Sequence, residues 1–561
     1  MKLKIFFNNI IMCGIFALLN KEINNNIYKS FLLGQSRGPE NSIIQTGSKT
    51  DNIILGFHRL AINGLDMVSN QPINLDYSTL ICNGEIYNYK ELAIKYNFTL
   101  NTNSDCEIIL HLYNKFGILE TLTLLDGVFA FILIDNKKNK IFVARDRFGV
   151  RPLFERNMFS KEINSYIYGF ASELKVLNNI NIDMVSNNQI ISFTPGTYSE
   201  FSKNNNNIFN KNKEKIYYYQ YPEINTFLTD INEINQLIVN NFNKAIYKRV
   251  VGTSERPIAC LLSGGLDSSL VCALVTKYYG NKIETYSIGL EGSEDLKYAT
   301  IVANHLNTKH TNIILTEDEF FSAIPAVIQT IESYDTTTIR ASVGNYLIGK
   351  YIKENSNAKV IFNGDGSDEL MGGYLYFNAA PNSQEFDKEC KRLLTDIHYF
   401  DVLRSDRCIS AHGLEPRTPF LDINWVTSYL SIPENIRCHT SNNNCEKFLI
   451  RNAFSILEPN LLPKEILWRT KEAFSDGVSS LNKSWFKIID EKVTQLYVSN
   501  LIQKEITPYL KHKDSTLEKA YYRYLFDCNY KNNENIIPYL WMPKFIEAKD
   551  SSARTLSIYK N

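Results

Sequence analysis

The sequence lacks any excess of charge of one sign. Sixty Lys and Arg residues balance sixty Asp and Glu residues, so the formal net charge is zero. Such a chain has no net field that would attract nucleic acid or an anionic membrane, and we expect neither as a partner. The sequence also lacks an apolar run that approaches the ~20 residues of a membrane-spanning helix. With 44% hydrophobic and 21% charged residues, the composition is that of a globular protein.

A metal-ligand pattern of cysteines and histidines is also missing. The ten cysteines include no C-x-x-C pair, and the eight histidines are dispersed. This is typical of reduced cysteines in a cytosolic protein, many of them small core residues. The first eleven residues resemble a signal peptide only faintly, because asparagines interrupt them and no small-residue cleavage site follows. We therefore expect a cytoplasmic location.

The most informative stretch is residues 258–269, where an apolar run is followed by S-G-G-L-D-S-S. The run predicts a buried strand, and the apolar residues at 270–279 predict a helix. A strand, a Gly-Gly turn and a helix N-terminus direct backbone N–H groups to one point, which suits a phosphate or pyrophosphate. The Walker spacing and its lysine are absent. The alternative is an ordinary glycine-rich turn.

Cys13 precedes an apolar run that predicts a buried strand, and Met12 precedes Cys13. If translation starts at Met12 and that methionine is removed, the α-amino group of Cys13 becomes free. With a reference pKa of about 7.7–8, it can serve as the general base for its own thiol. An unprocessed extension would block this amine, so we expect a mature N-terminus at Cys13. Taken alone, Cys13 could equally be a structural core cysteine.

A series of motifs follows Cys13 in the first half of the chain. They are C-G-I-F at 13–16, R-G-P-E-N at 37–41, H-R-L-A-I at 58–62, N-G-E-I-Y-N at 83–88, S-D-C-E at 104–107, D-G-V-F-A-F at 126–131 and A-R-D-R-F-G-V-R-P-L-F at 144–154. Together and in this order they resemble the N-terminal-nucleophile (Ntn) glutamine amidotransferases. The family implies an αββα sandwich, and the predicted alternation of strands and helices fits sheets layered between helices.

The resemblance implies a role for each residue of a glutaminase site. Arg59 would clamp the carboxylate of glutamine, and Glu85 and Asp105 would accept hydrogen bonds from its ammonium. Attack by Cys13 forms an oxyanion, which Asn83 and the Gly84 N–H would stabilise. A surface ion pair is the alternative for Arg59 or Asp105 alone, and a hairpin turn for Asn83-Gly84. The predicted glutamine-binding residues are Arg59, Leu60, Ala61, Ile62, Asn63, Asn83, Gly84, Glu85 and Asp105.

In the second half, predicted strands and helices alternate in the rhythm of a doubly wound parallel sheet, whose ligands bind beyond the carboxyl ends of the strands. Y-S-I-G-L at 286–290 and N-G-D-G-S-D-E-L at 363–370 lie at such strand ends. Other motifs of this half are E-S-Y-D-T-T-T-I-R-A-S at 332–342, G-G-Y-L-Y-F at 372–377, E-P-R-T-P-F-L-D at 415–422 and R-T-K-E-A-F-S-D-G at 469–477. From Cys13 to about residue 545 the chain resembles the glutamine-hydrolysing asparagine synthetases. The resemblance implies that ATP adenylates the side chain of aspartate, and that ammonia crosses a tunnel and displaces AMP from β-aspartyl-AMP.

The same resemblance implies the residues of the synthetase site. Asp267 and Asp368 match Mg²⁺ ligands, and Lys471 would neutralise charge on the phosphates in the transition state. Residues 337–340 are expected in the aspartate pocket. Taken singly, Asp267 could be a helix cap, Gly364 a turn residue and Lys471 a solvated side chain. The predicted ATP-binding and pyrophosphate-binding residues are Leu261, Ser263, Gly264, Gly265, Leu266, Asp267, Ser268, Ile288, Asn363 and Gly364.

The chain departs from the pattern of the family at Asp365 and again at Asn378 and Ala379, where relatives carry His-Lys. Asp365 stands where the family has the glutamate of G-E-G-S-D-E, a residue important for forming and using the adenylate. The carboxylate is retained but is one methylene shorter, and catalytic geometry is sensitive to shifts of about one ångström. We therefore expect a working synthetase half-reaction with a cost in rate.

These observations predict an α/β and α+β protein of two domains, an amidotransferase domain at 13–201 and an ATP-pyrophosphatase domain at 227–548. An extension or removed leader (1–12), a polar linker (202–226) and a tail (549–561) complete the chain. The family resemblance suggests a homodimer. Two alternatives remain: a relative such as a β-lactam synthetase that uses another acceptor, and an inactive protein that senses glutamine or nucleotide. The intact aspartate-type motifs disfavour the first, and retention of the catalytic residues disfavours the second.

Overall fold

The computed structural model describes residues 13–38, 40–46, 52–180, 189–253, 255–442, 444–470, 474–480, 483–511 and 515–556. Three of the expectations above fall outside these ranges. They concern the leader at 1–12, Lys471 and the end of the tail, 557–561.

The N-terminal domain contains two six-stranded antiparallel sheets. Its strands are β1 (Gly14–Leu19), β2 (Asn41–Thr46), β3 (Ile53–Arg59), β4 (Ile73–Leu75), β5 (Ser78–Ile86), β6 (Gly127–Asp135), β7 (Lys140–Arg145), β8 (Phe154–Ser160), β9 (Ser165–Ala171), β10 (Ile190–Ser192), β11 (Thr197–Lys203) and β12 (Phe209–Tyr217). One sheet has the order β10-β8-β9-β1-β3-β2, and the other has the order β12-β11-β7-β6-β5-β4.

The alternation of side chains along β1 shows how the layers form. Successive residues of a strand point to opposite faces. Ile15 and Ala17 therefore pack in the core between the two sheets, whereas Phe16 and Leu18 pack with side chains of helices on the outer face. Helices α2 (Tyr89–Tyr96), α3 (Ile108–Phe116) and α4 (Ile118–Leu124) cover the outer face of the second sheet. The predicted αββα sandwich is confirmed.

The segment expected to be a linker, 202–226, is in part a strand of this domain. Residues Phe209–Tyr217 form β12, which pairs antiparallel with β11 through a register that contains bulges. The polar, asparagine-rich sequence hid this strand, because an edge strand exposes one side and needs few apolar residues. The linker prediction was wrong for these residues, and the first domain continues beyond 201.

The second domain is built around a five-stranded sheet in which all neighbouring strands are parallel. Its strands are β13 (Ile258–Leu261), β14 (Glu284–Leu290), β15 (Lys309–Leu315), β16 (Val360–Phe362) and β17 (Glu415–Arg417), in the order β15-β14-β13-β16-β17. From β13 the strand order runs to β14 and β15 on one side and to β16 and β17 on the other. Ligands bind in such sheets at this reversal of strand order, between β13 and β16. Ile258 and Ala259 pack in different core clusters, so both faces of the sheet are covered. The predicted doubly wound sheet is confirmed.

The helices cover these sheets. In the first domain they are α1 (Asn25–Leu32), α2 (Tyr89–Tyr96), α3 (Ile108–Phe116), α4 (Ile118–Leu124) and α5 (Leu174–Asn178). In the second domain they are α6 (Ile231–Val251), α7 (Leu266–Tyr279), α8 (Glu294–His305), α9 (Glu317–Ser322), α10 (Ile324–Ile331), α11 (Thr336–Asn355), α12 (Ser367–Met371), α13 (Ser383–Asp396), α14 (Asp401–Ser410), α15 (Ile423–Leu430), α16 (Glu434–Arg437), α17 (Phe448–Leu457), α18 (Lys464–Leu467), α19 (Phe474–Gly477), α20 (Trp485–Val498), α21 (Gln503–Ile506) and α22 (Leu517–Tyr530). None of the helices in the described ranges is long and apolar enough to cross a membrane.

Candidate active sites

Cys13 lies immediately before β1, and its side chain faces Leu60 at the end of β3. The thiol donates a hydrogen bond to the Leu60 carbonyl at 3.2 Å, and the Leu60 N–H lies 3.4 Å from the sulfur. Burial raises the pKa of the Cys13 thiol to about 12, although the Leu60 backbone and Arg59 oppose the rise. A thiol in this state is a poor nucleophile until a base removes its proton.

Arg59 ends β3 and organises the loop that follows it. Its guanidinium donates to the Asp66 carbonyl at 2.8 Å, to Asn70 Oδ1 at 2.7 Å and to the Gly64 carbonyl. Leu60, Ala61 and Ile62 lie buried at the start of this loop. Several guanidinium donors therefore already hold the loop, so a bound carboxylate would share Arg59 with backbone carbonyls.

Asn83, Gly84 and Glu85 are consecutive residues of β5. The Asn83 amide donates to Ser172 Oγ at 3.5 Å, and the same oxygen accepts the Ile15 N–H at 3.0 Å, so Asn83 lies close to the strand that Cys13 precedes. At Gly84 a Cβ atom would lie 2.7 Å from the Val128 carbonyl, so the close pairing with β6 requires glycine.

Two carboxylates lie at the end of β5. Glu85 Oε1 accepts from Asn63 Nδ2 at 2.5 Å, and Asp105 Oδ2 accepts from the Ile86 N–H at 2.6 Å. Burial and the neighbouring Glu85 raise the pKa of Asp105 to about 8. The structure thus brings the predicted glutamine-binding residues together on β3, β5 and the turns beside them, with one carboxyl protonated near neutral pH.

Three residues of the second domain reach this site, and sequence motifs assigned none of them a role. Arg417 Nη2 lies 3.2 Å from Glu85 Oε2. The carboxylate of Glu255 accepts the Gly64 N–H at 3.1 Å, and Arg256 donates to the Ala61 carbonyl at 2.8 Å. Side chains of both domains therefore bind the loop that follows β3. Arg417 belongs to the E-P-R-T-P-F-L-D motif, which was the only signal that pointed to it.

A cavity of about 170 Å³ lies at the carboxyl ends of the parallel strands. It is lined by residues of β14 and by residues that follow β13 and β16, at the reversal point of the sheet. The predicted nucleotide residues that line it are Leu261, Ser263, Gly265, Leu266, Asp267, Ser268, Ile288, Asn363 and Gly364.

Gly264 does not line this cavity, and it serves the packing of the loop instead. Its φ angle is +72°, and a Cβ atom would lie 2.4 Å from backbone atoms of Tyr298 and Ala299 in α8. Only glycine allows this conformation and this approach. The loop is closed by a hydrogen bond of 3.0 Å between the hydroxyls of Ser263 and Ser268. Leu266, Asp267 and Ser268 in the first turn of α7 line the cavity, so the N-terminus of this helix borders it.

Asp267 and Asp368 meet around one side chain, Lys447. Its Nζ lies 2.7 and 2.6 Å from the two oxygens of Asp267 and 2.5 Å from Asp368 Oδ1. Ser367 donates a further hydrogen bond of 2.6 Å to Asp267. Two carboxylates that close on one cation are a donor set that fits a divalent metal ion. Lys447 lies in none of the motifs described above, so it was not among the predicted site residues.

Asp365 lines the same cavity and is paired with Arg404. Arg404 Nη2 lies 3.0 Å from Asp365 Oδ1 and 2.5 Å from Asp401 Oδ1. Burial raises the pKa of Asp365 above its usual range, and Arg404 opposes the rise. The carboxylate is therefore drawn toward Arg404 on α14.

The side chains of the residues expected in the aspartate pocket have different surroundings. Thr337 lines the cavity, but Arg340 points to the C-terminal part of the chain and pairs with Glu518 at 2.6 Å and Asp550 at 2.7 Å. A residue three positions along a helix lies on a nearby but different face, which the motif alone could not resolve. Lys471 lies outside the described residues.

Comparison with known proteins covers both domains. The family model described as a glutamine amidotransferase domain matches residues 12–215, and the model described as asparagine synthase matches 239–388 and 378–528. A protein of Gallus gallus named asparagine synthetase [glutamine-hydrolyzing] is 40% identical, over 98% of this chain and 99% of its own. The Homo sapiens protein of the same name is 39% identical over the same shares. The chain belongs to the family of glutamine-hydrolysing asparagine synthetases.

Membership of the asparagine synthetase family covers both domains. The amidotransferase match extends to residue 215, within β12, in agreement with a first domain that continues beyond 201. The relatives are matched over almost their whole length. Both domains of an asparagine synthetase are therefore present in one chain.

Proposed function

We propose that the protein makes asparagine from aspartate, with ATP as the energy source and glutamine as the donor of ammonia. The observation that carries this proposal is the grouping of side chains at two places in one chain. Cys13 lies with Arg59, Asn83, Glu85 and Asp105 in one domain, and the closed loop at 263–268 faces a cavity in the other. The products are asparagine, glutamate, AMP and pyrophosphate.

In the glutaminase half, the Cys13 sulfur attacks the side-chain carbonyl carbon of glutamine. The buried thiol needs a base, and the α-amino group of Cys13 supplies it once residues 1–12 are removed. The Asn83 amide and the Gly84 N–H donate to the oxyanion, and the C–N bond then breaks and releases ammonia. Water hydrolyses the thioester to give glutamate. Arg59, Glu85 and Asp105 hold the α-carboxylate and α-ammonium of glutamine.

In the synthetase half, an oxygen of the aspartate side chain attacks the α-phosphorus of ATP, and pyrophosphate leaves. The adenosine lies against Leu261, Ile288, Asn363 and Gly364, and the N–H groups of the loop at 263–268 hold the phosphates. Asp267 and Asp368 would hold Mg²⁺, which when bound offsets the charge of the phosphates. Ammonia then attacks the acyl carbon and AMP leaves.

Two further residues have proposed roles in this half. Asp365 orients the acyl adenylate and the incoming ammonia, and Lys471 donates to the phosphates as pyrophosphate departs. We also propose that the protein acts as a homodimer in the cytoplasm. Sedimentation of the purified protein and fractionation of its source cells test these two points.

One assay tests the proposed function. Purified protein is supplied with aspartate, ATP, Mg²⁺ and either glutamine or ammonia, and asparagine, glutamate, AMP and pyrophosphate are measured. Asparagine is expected from both nitrogen sources. Cys13→Ala should lose the glutamine-dependent reaction and keep the ammonia-dependent one. Failure to form asparagine from either source, while pyrophosphate is released with a different acceptor, would assign the protein to another amide-forming reaction.

A further inference from the structure

The Lys447 ammonium contacts both of the carboxylates that we propose for Mg²⁺. It donates hydrogen bonds to the two oxygens of Asp267 at 2.7 and 2.6 Å, and it forms an ion pair of 2.5 Å with Asp368 Oδ1. These three close contacts hold the ammonium at the carboxylates, although Lys447 also lines the nucleotide cavity.

The backbone conformation at Lys447 and its neighbours places the ammonium between the two carboxylates. Lys447 precedes α17 with a left-handed backbone (φ +57°), and only 1% of its side chain is exposed. The backbone of Gly373 passes so close that a Cβ atom would lie 2.1 Å from Lys447 Cε and 2.1 Å from Asp368 Oδ1. A left-handed non-glycine residue costs about 1 kcal/mol or more, which the surrounding contacts must offset. The local backbone at Lys447 and Gly373 thus fixes the position of the Lys447 ammonium beside Asp368.

Lys447 and a metal ion cannot hold the same carboxylate oxygens in the same position. Mg²⁺ requires oxygen ligands at about 2.0–2.1 Å in near-octahedral geometry. Asp267 and Asp368 both close on a single point, which the ammonium occupies. Entry of the metal must therefore break the contacts of Lys447, and a cation so displaced needs new anionic partners because it is buried.

The phosphates of ATP are those partners. Lys447 lines the same cavity as Ser263, Gly265 and Ser268, the residues of the proposed pyrophosphate loop. We propose that Lys447 is a resident counter-ion that holds Asp267 and Asp368 until Mg²⁺ and ATP arrive together, and then moves its ammonium to the phosphates. This inference rests on the proposed use of ATP. It makes Lys447 a phosphate-binding residue of the reaction and explains why the pair of carboxylates is stable before the substrate binds.

The proposal predicts how the free protein binds metal. Without ATP, Lys447 competes with the metal, and no phosphate offsets the cost of displacing it. Lys447→Met keeps the length of the side chain and removes the competing charge. We expect Mn²⁺, used as a spin probe for Mg²⁺, to bind Lys447→Met at least about tenfold more tightly than the unaltered protein in the absence of nucleotide.

Electron paramagnetic resonance titration of free Mn²⁺ with the full chain measures this affinity. Lys277→Met is the matched control, because Lys277 lies at the far end of α7, is 42% exposed and pairs with Glu458 at 3.0 Å. The control removes the same charge and should leave Mn²⁺ affinity unchanged. Equal or weaker Mn²⁺ binding by Lys447→Met, or an equal gain in Lys277→Met, overturns the proposal.

A second measurement tests the move to phosphate. In the presence of ATP, Lys447→Met should lose the stabilisation that the ammonium gives the phosphates, so the apparent affinity for ATP should fall while that for Mn²⁺ alone rises. If the affinities for ATP and for Mn²⁺ alone rise together or fall together, the result contradicts a move of Lys447 from the carboxylates to the phosphates. Glutamate release from glutamine shows that the variant is folded. Because the Mn²⁺ titration requires neither aspartate nor asparagine formation, its failure is distinguishable from failure of the proposed function.

Discussion

Arg417 and Glu85 form a buried ion pair between the two domains, with Arg417 Nη2 3.2 Å from Glu85 Oε2. The backbone carbonyl of Arg417 accepts the Asn363 N–H at 3.1 Å, and Asn363 lines the nucleotide cavity. One residue of β17 therefore contacts both sites, through its side chain on one side and its main chain on the other.

The pair belongs to a larger set of buried charges at the domain boundary. Arg151 lies 2.9 Å from Glu415 and 3.6 Å from Asp406. Asp406 in turn lies 2.7 Å from Arg37, whose Nε donates to the Cys13 carbonyl at 3.1 Å. Removal of one partner of such a pair leaves a buried charge without compensation, which costs more than the pair itself contributes.

Arg417→Met is therefore expected to destabilise the protein by about 3–5 kcal/mol. The change leaves Glu85 buried without its cation, whereas Arg417→Lys restores part of the attraction and should cost less. Denaturant unfolding followed by tryptophan fluorescence measures the loss. Lys277→Met, which removes an exposed charge, should cost about 1 kcal/mol or less. A cost for Arg417→Met no larger than for this control would show that the buried pair is not needed for stability.

Glutamine binding is expected to depend on pH through Asp105. Its pKa is raised to about 8 by burial, with Glu85 adding to the rise. At lower pH the carboxyl is protonated, and an ammonium ligand must first expel that proton. Affinity for glutamine should therefore rise as the pH increases from about 6 to 8, and binding at about pH 7 should release a proton.

Calorimetry on Cys13→Ala, which binds glutamine without turnover, measures both effects. Titrations in buffers of different ionisation enthalpy give the number of protons released. Asp105→Asn should bind glutamine weakly and lose the pH dependence across this range. An affinity that is flat from about pH 6 to 8 in the Cys13→Ala protein would mean that Asp105 is already ionised.

Local sequence patterns predicted the parts of each site that lie within a few residues of one another. The loop from Ser263 to Asp267 could be recognised because a strand, glycines and a helix start occur in sequence. Lys447 could not, because it comes from 180 residues away and reaches Asp267 only through the tertiary fold. Arg417 lies within a motif, but its contact with Glu85 could not be predicted for the same reason. The edge strand β12 was missed because its residues are polar, and periodicity detects only strands with a buried face.

The predicted motifs also gave residue types without side-chain direction. Thr337 and Arg340 belong to one motif, yet only Thr337 lines the cavity. The two side chains are only about 60° apart around α11, because three residues turn by about 300° in a helix. Which face meets the cavity is decided by packing of α11 against α14 and the C-terminal segments. That packing involves contacts distant in the chain.

Asp365→Glu is expected to speed the synthetase half-reaction. Asp365 is held 3.0 Å from Arg404 on the wall of the cavity, and the added methylene would extend the carboxylate by about one ångström. The initial rate of aspartate-dependent pyrophosphate release should rise by several-fold, about 1 kcal/mol in barrier. Asp365→Asn, which keeps the length and removes the charge, should be slower than the unaltered protein. If Asp365→Glu has an unchanged rate, side-chain length does not limit this step.

Residues 549–556, near the end of the chain, contact the segment at 474–480 that follows Lys471. Asp550 pairs with Arg340 of α11 at 2.7 Å, and Ser552 donates to Asp476 Oδ1 at 2.7 Å. The Val478 carbonyl accepts the Leu290 N–H at the end of β14 at 2.8 Å. Residues 549–556 thus connect α11, which carries Thr337, to the segment that carries Ser475 at the cavity wall.

Asp550→Asn is therefore expected to impair the synthetase reaction without affecting glutamine hydrolysis. The change removes the charge that holds Arg340 to the tail, and loosening of the cavity wall should raise KM for ATP or aspartate by about tenfold, equivalent to about 1.4 kcal/mol. Steady-state kinetics with ammonia as nitrogen source separates KM from kcat, and glutamate release reports the other domain. Asp318→Asn is the control, because Asp318 is 89% exposed and pairs only at the surface with Lys492. Parallel losses in both half-reactions would indicate general destabilisation and contradict a role specific to the cavity wall.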